Sequence, residues 1–568
     1  MDRFSARWAR LAALLLAVAW LGPAVTAGVA AQDAGGKVLR VHHPTYPDVF
    51  DPQRSSFTNE IDILAAAYEG LTRLDTEQQT VPAAAERWEY NEDATELTFF
   101  LREGLQFSDG SPLTAENFRY AIQRNCDPNT AGEYQSITFE IVGCQELAEL
   151  APEDVSATPG ATPEAIDQAA YEEAIANLGA EAVDERTLRL SLTNSAPYFH
   201  TIAYTWVFYP VKQEIAEADP TNWWQSAENH VGNGPFTITE IDEDQRISFE
   251  ANENYWQGRP TLDGMQFIYI DDAAVALESY RAGDLDIVQL EPPQIPEVEG
   301  DPELSEAFLT YPTASTYNLA MNLDREPFND RLVRQAFSQA FDRETYCAEI
   351  RSGDCTPTLT WIPEGIPGHI DFQEYGFDVE AAQQALAESS YGSADALPEI
   401  SLYVNSDLSG YQERAEFVAE QYRENLGVEI TIEPVDGTTL IDLRKDSTTH
   451  PQLLLVGGWI QDYPDPQNWL SVFWTCDATF AERVGYCNEE FDRLVEQGDT
   501  TVDPEARLGF YEEAGRVVAE DIPGPFLYHQ NGTFVVRPTV SGITPTASEV
   551  EWPGSLSSLM TIDIAAEE

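Results

Sequence analysis

Apolar residues recur along the chain with two spacings, one typical of strands and one typical of helices. Short runs of strand-forming residues predict strands at 38–41, 97–101, 186–192, 236–241, 246–251 and 266–271. Apolar residues three and four positions apart predict helices at 61–68, 114–123 and 273–281. The first half of the chain therefore predicts a mixed α/β unit.

A second α/β unit is predicted further along the chain. Its strands are expected at 316–323, 400–404, 428–433 and 452–456, and its helices at 330–342, 379–389 and 411–425. Between the two halves of the first unit, residues 151–182 are rich in Ala, Pro, Thr and Glu. This composition predicts an exposed loop at 152–163 followed by a surface helix at 164–178.

The N-terminal residues 1–31 have the pattern of an export signal. Arg3, Arg7 and Arg10 precede an apolar run at 11–21, and small residues follow, so we expect cleavage before Gln32. A membrane anchor is the alternative, but the run is short and no second apolar span of ~20 residues follows. The sequence thus predicts an exported protein in the periplasm or outside the cell, with association with the cell envelope left open.

The charge and composition of the chain disfavour some binding partners and indicate a globular protein. The chain carries 98 acidic and 31 Lys or Arg residues, a net charge of −67, which disfavours nucleic acid and anionic lipid as partners. A content of 43% hydrophobic and 11% aromatic residues over 568 positions is typical of a globular protein with two or three domains. We interpret the acidic residues as a solvated surface rather than as a binding site.

Six cysteines occur as three close pairs: Cys126 with Cys144, Cys347 with Cys355, and Cys476 with Cys487. Six cysteines permit 15 connectivities, but export and short loops favour pairing of nearest neighbours as disulfides. A zinc site would require a C-x-x-C knuckle or a neighbouring His, and none of the pairs has either.

The motifs of common enzymes are missing from the sequence. There is no G-x-S-x-G elbow, no H-E-x-x-H helix and no phosphate-binding Gly-Lys-Ser/Thr loop. The seven histidines are scattered, and the adjacent His42 and His43 would point to opposite faces of a strand. We therefore expect no catalytic residues, no cofactor and no metal, although an exported hydrolase remains a rival hypothesis.

Several motifs together resemble the extracytoplasmic solute-binding proteins of family 5, the oligopeptide and dipeptide type. They follow the family's order from about residue 38 to 530, and each alone is weak. The matching segments are 68–71 (YEGL), 100–118 (FLREGLQFSDGSPLTAENF), 126–131 (CDPNTA), 232–236 (GNGPF), 254–256 (NYW), 283–286 (GDLD), 333–336 (VRQA) and 458–466 (GWIQDYPDP).

The resemblance implies an α/β fold of the periplasmic-binding-protein type: a two-lobed clamshell (type II) with an extra inserted domain. Lobe 1 would combine a core domain from 37–71, 198–312 and 528–568 with a small domain inserted at 72–197. Residues 313–527 would form lobe 2. In this arrangement a ligand is enclosed between the lobes.

The resemblance also implies the ligand site. Asp462 matches the carboxylate that receives a peptide's α-ammonium, although an aspartate in this position could instead only cap a turn. Two backbone segments would pair with an extended peptide, and Tyr134 matches an aromatic residue of the inserted domain. The backbone segments are Ser56, Phe57 and Thr58 in lobe 1, and Gly458, Trp459 and Ile460 in lobe 2.

We therefore predict the substrate-binding component of an ABC importer, a monomer that binds small peptides and delivers them to membrane permease subunits. The resemblance leaves other ligands open, because the family includes binders of sugars, opines and metal chelates. A sensory receptor subunit with the same fold is a further alternative. The sequence identifies no residue for the peptide's carboxylate.

Overall fold

The computed structural model describes residues 36–151, 166–408 and 410–565. The predicted export signal (1–31) and the predicted loop (152–163) lie outside these ranges. No helix in the described part of the chain is long and apolar enough to cross a membrane.

The largest sheet has 11 strands and contains most of the chain's β-structure. Along the sheet the strands follow the order β15-β14-β16-β12-β17-β11-β1-β10-β9-β8, with β13 paired to β17. Its members are β1 (Val38–His43), β8 (Phe236–Asp242), β9 (Arg246–Ala251), β10 (Gly264–Tyr269), β11 (Ile287–Gln289), β12 (Phe308–Met321), β13 (Cys355–Pro357), β14 (Ile400–Asn405), β15 (Ile430–Val435), β16 (Leu453–Ile460) and β17 (Phe526–Val536).

Eight further strands form three small sheets. A four-stranded antiparallel sheet, ordered β4-β5-β7-β6, belongs to the region predicted as the inserted domain. The strands of the three sheets are β2 (Thr72–Leu74), β3 (Thr80–Pro82), β4 (Ala85–Tyr90), β5 (Glu96–Leu101), β6 (Ala180–Asp184), β7 (Thr187–Ser191), β18 (Val540–Ser541) and β19 (Asp563–Ile564).

Helices are interspersed with these strands along the chain. Those of the first 300 residues are α1 (Thr58–Ala67), α2 (Ala115–Cys126), α3 (Cys144–Ala148), α4 (Gln168–Asn177), α5 (Gln213–Ala218), α6 (Ala273–Ala282) and α7 (Ile295–Gly300). Those that follow are α8 (Arg331–Gln339), α9 (Arg343–Thr345), α10 (Val379–Glu388), α11 (Tyr411–Leu426), α12 (Gly437–Leu443), α13 (Pro466–Trp469), α14 (Ser471–Trp474), α15 (Thr479–Val484), α16 (Glu489–Thr500) and α17 (Pro504–Asp521).

Separate hydrophobic cores define two lobes. One large buried cluster takes its residues from 39–311 and 534–562, which we call lobe 1, and includes one residue from elsewhere, Tyr463. Two other clusters are built from residues 314–528, which we call lobe 2. The long antiparallel strands β12 and β17 pair with each other and run through the sheet between the halves. The two-lobed α/β fold is therefore confirmed, while the domain boundaries stay a prediction.

Most predicted elements are present, and the largest differences lie in the strands of lobe 2. The strand predicted at 316–323 begins at Phe308, and the strand predicted at 452–456 extends to Ile460. The added residues of β16 pair with β12, since Gly458, Trp459 and Ile460 lie opposite Tyr317, Thr316 and Ser315. The added residues 308–312 of β12 pair with β17. The helix predicted at 330–342 begins at Arg331, because the Asp330 side chain accepts a hydrogen bond from the Leu332 N–H at 2.9 Å.

The cysteine pairing is confirmed. Cys126–Cys144, Cys347–Cys355 and Cys476–Cys487 are disulfide-bonded, and no free cysteine occurs among the described residues. Each bond closes a short loop, as nearest-neighbour pairing predicts. His42 and His43 are buried on β1, 3% and 1% exposed.

Candidate ligand-binding site

A cavity of about 470 Å³ lies between lobe 1 and lobe 2. This volume is in the range of cavities that bind small molecules. All eight residues predicted from the sequence line it, so the fold brings together positions up to 406 residues apart: Ser56, Phe57, Thr58, Tyr134, Gly458, Trp459, Ile460 and Asp462.

The lobe 1 wall of the cavity is held in place by a buried carboxylate. Glu60, which is 1% exposed, accepts hydrogen bonds from the backbone N–H groups of Ser56 (2.8 Å) and Phe57 (3.1 Å). Burial raises the pKa of Glu60, while these hydrogen bonds oppose that effect. Both N–H groups are therefore occupied, and the Phe57 carbonyl accepts from the N–H groups of Glu60 and Ile61 in α1, so this segment presents mainly side chains to a ligand. The Phe57 side chain is 60% exposed.

Asp462 lies two residues after the end of β16 and is held in place by Asn468 on α13. The buried Asn468 donates from Nδ2 to Asp462 Oδ2 at 2.9 Å and accepts from the Asp462 N–H at 2.9 Å. The same side-chain oxygen of Asn468 accepts from Trp459 Nε1 at 3.1 Å. One amide thus orients the carboxylate and the indole together.

Two tyrosines of lobe 1 reach Asp462 across the cleft. The Tyr134 hydroxyl hydrogen-bonds to the Asp462 carboxylate, and the Tyr204 hydroxyl donates to its backbone carbonyl. Burial raises the pKa of Asp462 to about 6, although the hydrogen bonds from Asn468 and Tyr134 oppose this. Among the described residues no basic side chain forms an ion pair with it, so the carboxylate has no counter-charge of its own.

The C-terminal part of β16 presents a free backbone edge. β14 pairs with β16 only at Leu453 and Leu454, whereas β12 pairs along the opposite edge as far as Ile460. Within the described chain, the second edge of 457–460 therefore has no strand partner. An unpaired strand edge can accept an added strand through backbone hydrogen bonds.

Aromatic side chains form much of the remaining wall. The half-buried Trp459 ring packs edge-on against Phe480 and Phe473, with ring centroids 5.1 and 5.4 Å apart. On the other side, Tyr134 packs edge-on against Trp206 at 5.0 Å. The site is therefore largely apolar, with a few fixed polar groups.

Three charged residues of the cavity were not predicted from the sequence. Asp62 on α1 and Glu551 in the C-terminal segment line the lobe 1 side, and Arg444 at the end of α12 lines the lobe 2 side. Burial raises the pKa of both acids, and repulsion from Glu551 raises the pKa of Asp62 further. Among 98 acidic residues neither stood out. Arg444, which is followed by Lys445, was detectable as an adjacent basic pair in a chain with few basic residues.

Two lobes that enclose a cavity, joined by a shared sheet, define a solute-binding protein of the periplasmic-binding-protein class. The chain belongs to the bacterial extracellular solute-binding proteins of family 5, because the family's middle region matches residues 79–481.

Known proteins of this class are similar over nearly the whole chain. The oligopeptide-binding protein OppA of Bacillus subtilis is 26% identical over 554 residues, which cover 94% of this chain and 96% of that protein. The probable deoxycholate-binding periplasmic protein YgiS of Escherichia coli is 27% identical over 517 residues, or 89% and 90%. The structure of Haemophilus influenzae OppA in complex with RPPGFSPFR matches with a TM-score of 0.73 at 24% identity, covering 94% and 99%.

Proposed function

We propose that this protein binds small peptides between its lobes, with the peptide N-terminus at Asp462 and the peptide backbone along the free edge of β16. The observation that carries the proposal is a carboxylate without a counter-charge beside an unpaired strand edge in one cavity. A peptide supplies both an ammonium group and a strand, so it satisfies both features.

The relatives support a peptide over another solute. OppA of Bacillus subtilis is named an oligopeptide-binding protein, and the Haemophilus influenzae OppA structure contains the peptide RPPGFSPFR. YgiS, the probable deoxycholate-binding protein, shows that a relative of similar identity is assigned an anionic ligand without an ammonium group. An uncompensated carboxylate in the cavity would repel such a ligand.

The cellular role follows from that binding. We propose that the protein acts outside the cytoplasm as a non-enzymatic monomer and delivers the peptide to the permease subunits of an ABC importer. The naming of relatives as periplasmic binding proteins supports this role.

The proposal is tested by Asp462→Asn, which removes the charge and keeps the shape. If the peptide ammonium and Asp462 form a desolvated pair, its loss costs about 3–5 kcal/mol, or more than a hundredfold in affinity. A solvent-exposed pair would cost at most about 1 kcal/mol. Calorimetry with short peptides gives the difference, and circular dichroism checks the fold.

Two controls accompany this measurement. Asp477→Asn removes an equal charge from an exposed position of lobe 2 and should leave the affinity unchanged. N-acetylated peptides lack the ammonium group and should bind the wild-type protein poorly. Equal affinity of free and acetylated peptides for the wild-type protein would contradict the proposed role of Asp462.

A further inference from the structure

Lobe 2 contains a second, smaller cavity of about 50 Å³ next to the ligand cavity. The two cavities share Arg444, Gly457, Gly458 and Phe480 in their walls. The rest of the small cavity is lined by lobe 2 residues, which are Asn318, Ala320, His450, Leu454, Phe473, Trp474, Arg483, Val484 and Pro523. A space of this size holds a group of a few atoms rather than a whole ligand.

Hydrogen-bond donors without partners surround this small cavity. The side chains of Arg444 and Arg483 make no ion pair or hydrogen bond with any other described residue, although Arg483 lies over the Phe480 ring at 5.5 Å. The indole Nε1 of Trp474, a residue that is 1% exposed, also has no hydrogen-bond partner. The Trp474 Nε1 and Arg483 Nε atoms are buried, and a buried donor without an acceptor is costly, so the cavity favours a group that accepts hydrogen bonds from them.

The lining contains no acidic residue to balance the two arginines. Burial and repulsion from Arg483 lower the pKa of Arg444. Burial also lowers the pKa of His450 to about 4, so its imidazole is neutral. The Asn318 carboxamide oxygen is an acceptor without a partner, and turning the amide over would present its NH2 group to the cavity instead.

Two guanidinium groups left without a carboxylate are unexpected in a chain of net charge −67. A charge taken out of water is stabilised only by a counter-charge with good hydrogen-bond geometry. Guanidinium and indole N–H groups are donors only, and together they match a compact anion with several acceptor sites.

We propose that this small cavity binds one small anion, of the size of a carboxylate group or a chloride ion, between Arg444, Arg483 and the Trp474 indole. The anion comes from one of two sources. It is either a free ion from solution or a carboxylate of the bound ligand, which reaches the site through the shared wall. The second source rests on the proposed peptide function, and the first does not.

The test follows the Trp474 indole N–H by NMR of protein labelled with ¹⁵N in its tryptophan rings, with Trp474→Phe to assign the signal. Ligand-free protein is titrated with sodium chloride, and with sodium gluconate at equal ionic strength as the bulky-anion control. In gluconate, a peptide with a free C-terminus is then compared with its C-terminal amide.

A saturable shift with chloride identifies a free anion, and a shift with the free-acid peptide but not its amide identifies a ligand carboxylate. Either shift should be at least tenfold weaker in Arg483→Gln and unchanged in Arg493→Gln, whose arginine is paired with Glu490 on the surface of α16. The proposal is overturned if neither titration moves the signal, or if Arg483→Gln leaves the titration unchanged. Failure of peptides to bind at all would instead overturn the proposed function, since the chloride titration does not depend on it.

Discussion

At the scale of single residues, the environment of Asp462 determines what its carboxyl group can do. The residue is surrounded by Asn468, Tyr134 and the aromatic wall, and none of these supplies a positive charge. Burial favours the neutral carboxyl group, whereas a bound ammonium group favours the carboxylate. Protonation and ligand binding therefore compete for the same oxygen atoms.

We predict that peptide affinity falls as the pH falls through about 6, the pKa of Asp462 in the ligand-free protein. The carboxylate must be ionised to pair with ammonium, so affinity should be about tenfold lower at pH 5 than at pH 7.5. Calorimetry across this range measures the change. Asp462→Asn should lack this step, and the same pH profile in both proteins would contradict the assignment.

The stability of the ligand-free protein should depend on pH in the opposite way to the peptide affinity: it should fall as the pH rises. The pKa of Asp462 is higher in the folded protein than its ordinary value of 3.8. Its contribution to stability is therefore present below pH 3.8 and is lost as the pH rises through about 6. For the same reason, Asp462→Asn is expected to raise the thermal midpoint at pH 7.5 while it weakens binding.

At the scale of elements, β16 combines two functions in one strand. One edge is paired with β12, and the other edge lines the cavity without a partner as far as Ile460. The close fit to β12 depends on Gly458, because a Cβ atom there would lie 2.7 Å from the Tyr317 ring and 2.8 Å from the Thr316 carbonyl oxygen. Tyr317 itself lines the ligand cavity.

Gly458→Ala is predicted to reduce both stability and affinity. The added methyl group must displace the Tyr317 ring and part of the β12 backbone, which typically costs about 1–3 kcal/mol. Thermal unfolding and peptide calorimetry measure the two effects. Gly300→Ala is the matched control, since its Cβ would meet no atom within 4 Å. Unchanged affinity in Gly458→Ala would show that the edge of β16 does not shape the binding site.

Two of the three disulfides close loops that carry cavity residues. The loop between Cys126 and Cys144 contains Tyr134, and the loop between Cys476 and Cys487 contains Phe480 and Arg483. The third, between Cys347 and Cys355, contributes no residue to the ligand cavity. Two of the disulfides therefore constrain loops that carry cavity residues, and the third does not.

Replacing Cys126–Cys144 and Cys347–Cys355, each by an alanine pair, should separate the effect on stability from the effect on binding. Loss of Cys126–Cys144 is expected to cost about 3 kcal/mol and loss of Cys347–Cys355 about 2.5 kcal/mol, because the stabilisation depends only weakly on the sequence separations of 18 and 8. Only the first pair of substitutions should also weaken peptide affinity, through the loosened Tyr134. Urea unfolding and calorimetry test this, and equal effects of both double variants on affinity would refute it.

At the scale of the whole molecule, the two lobes share one sheet, and their cores are separate except that Tyr463 of lobe 2 packs in the core of lobe 1. The strands β12 and β17 pair with each other in the middle of that sheet. The cavity has predicted ligand-contacting residues in both lobes, so a ligand gains its full set of contacts only when the lobes approach. Binding can drive such closure only through contacts that the open state lacks.

Saturating peptide is therefore expected to reduce the radius of gyration in small-angle scattering. Asp462→Asn with the same peptide concentration serves as the control, because weak binding leaves the lobes unclosed. An unchanged radius for the wild-type protein, at a concentration where calorimetry shows saturation, would exclude closure of the lobes on binding.

The sequence by itself determined the α/β class, the positions of elements such as β5, α2 and α11, and the three disulfide pairs, whereas β17, α16 and α17 were not predicted. These features depend on residues that are close in sequence. Buried positions recur with a regular period in helices and strands, and neighbouring cysteines close short loops. The resemblance of the motif at 458–466 to family 5 also identified Asp462 as a candidate ligand-binding residue.

Only the tertiary structure decided the rest of the site. Asp62, Arg444 and Glu551 share one cavity although they come from α1, the end of α12 and the C-terminal segment. Their spacing in the sequence does not predict that these three residues lie together. Lobe 1 is built from separate segments of the chain, and its packing against lobe 2 brings the residues into one cavity. The unpaired donors of Arg444, Arg483 and Trp474 likewise become visible only when their neighbours are known. The charge of a side chain follows from its residue type, but whether that charge has a partner depends on the fold.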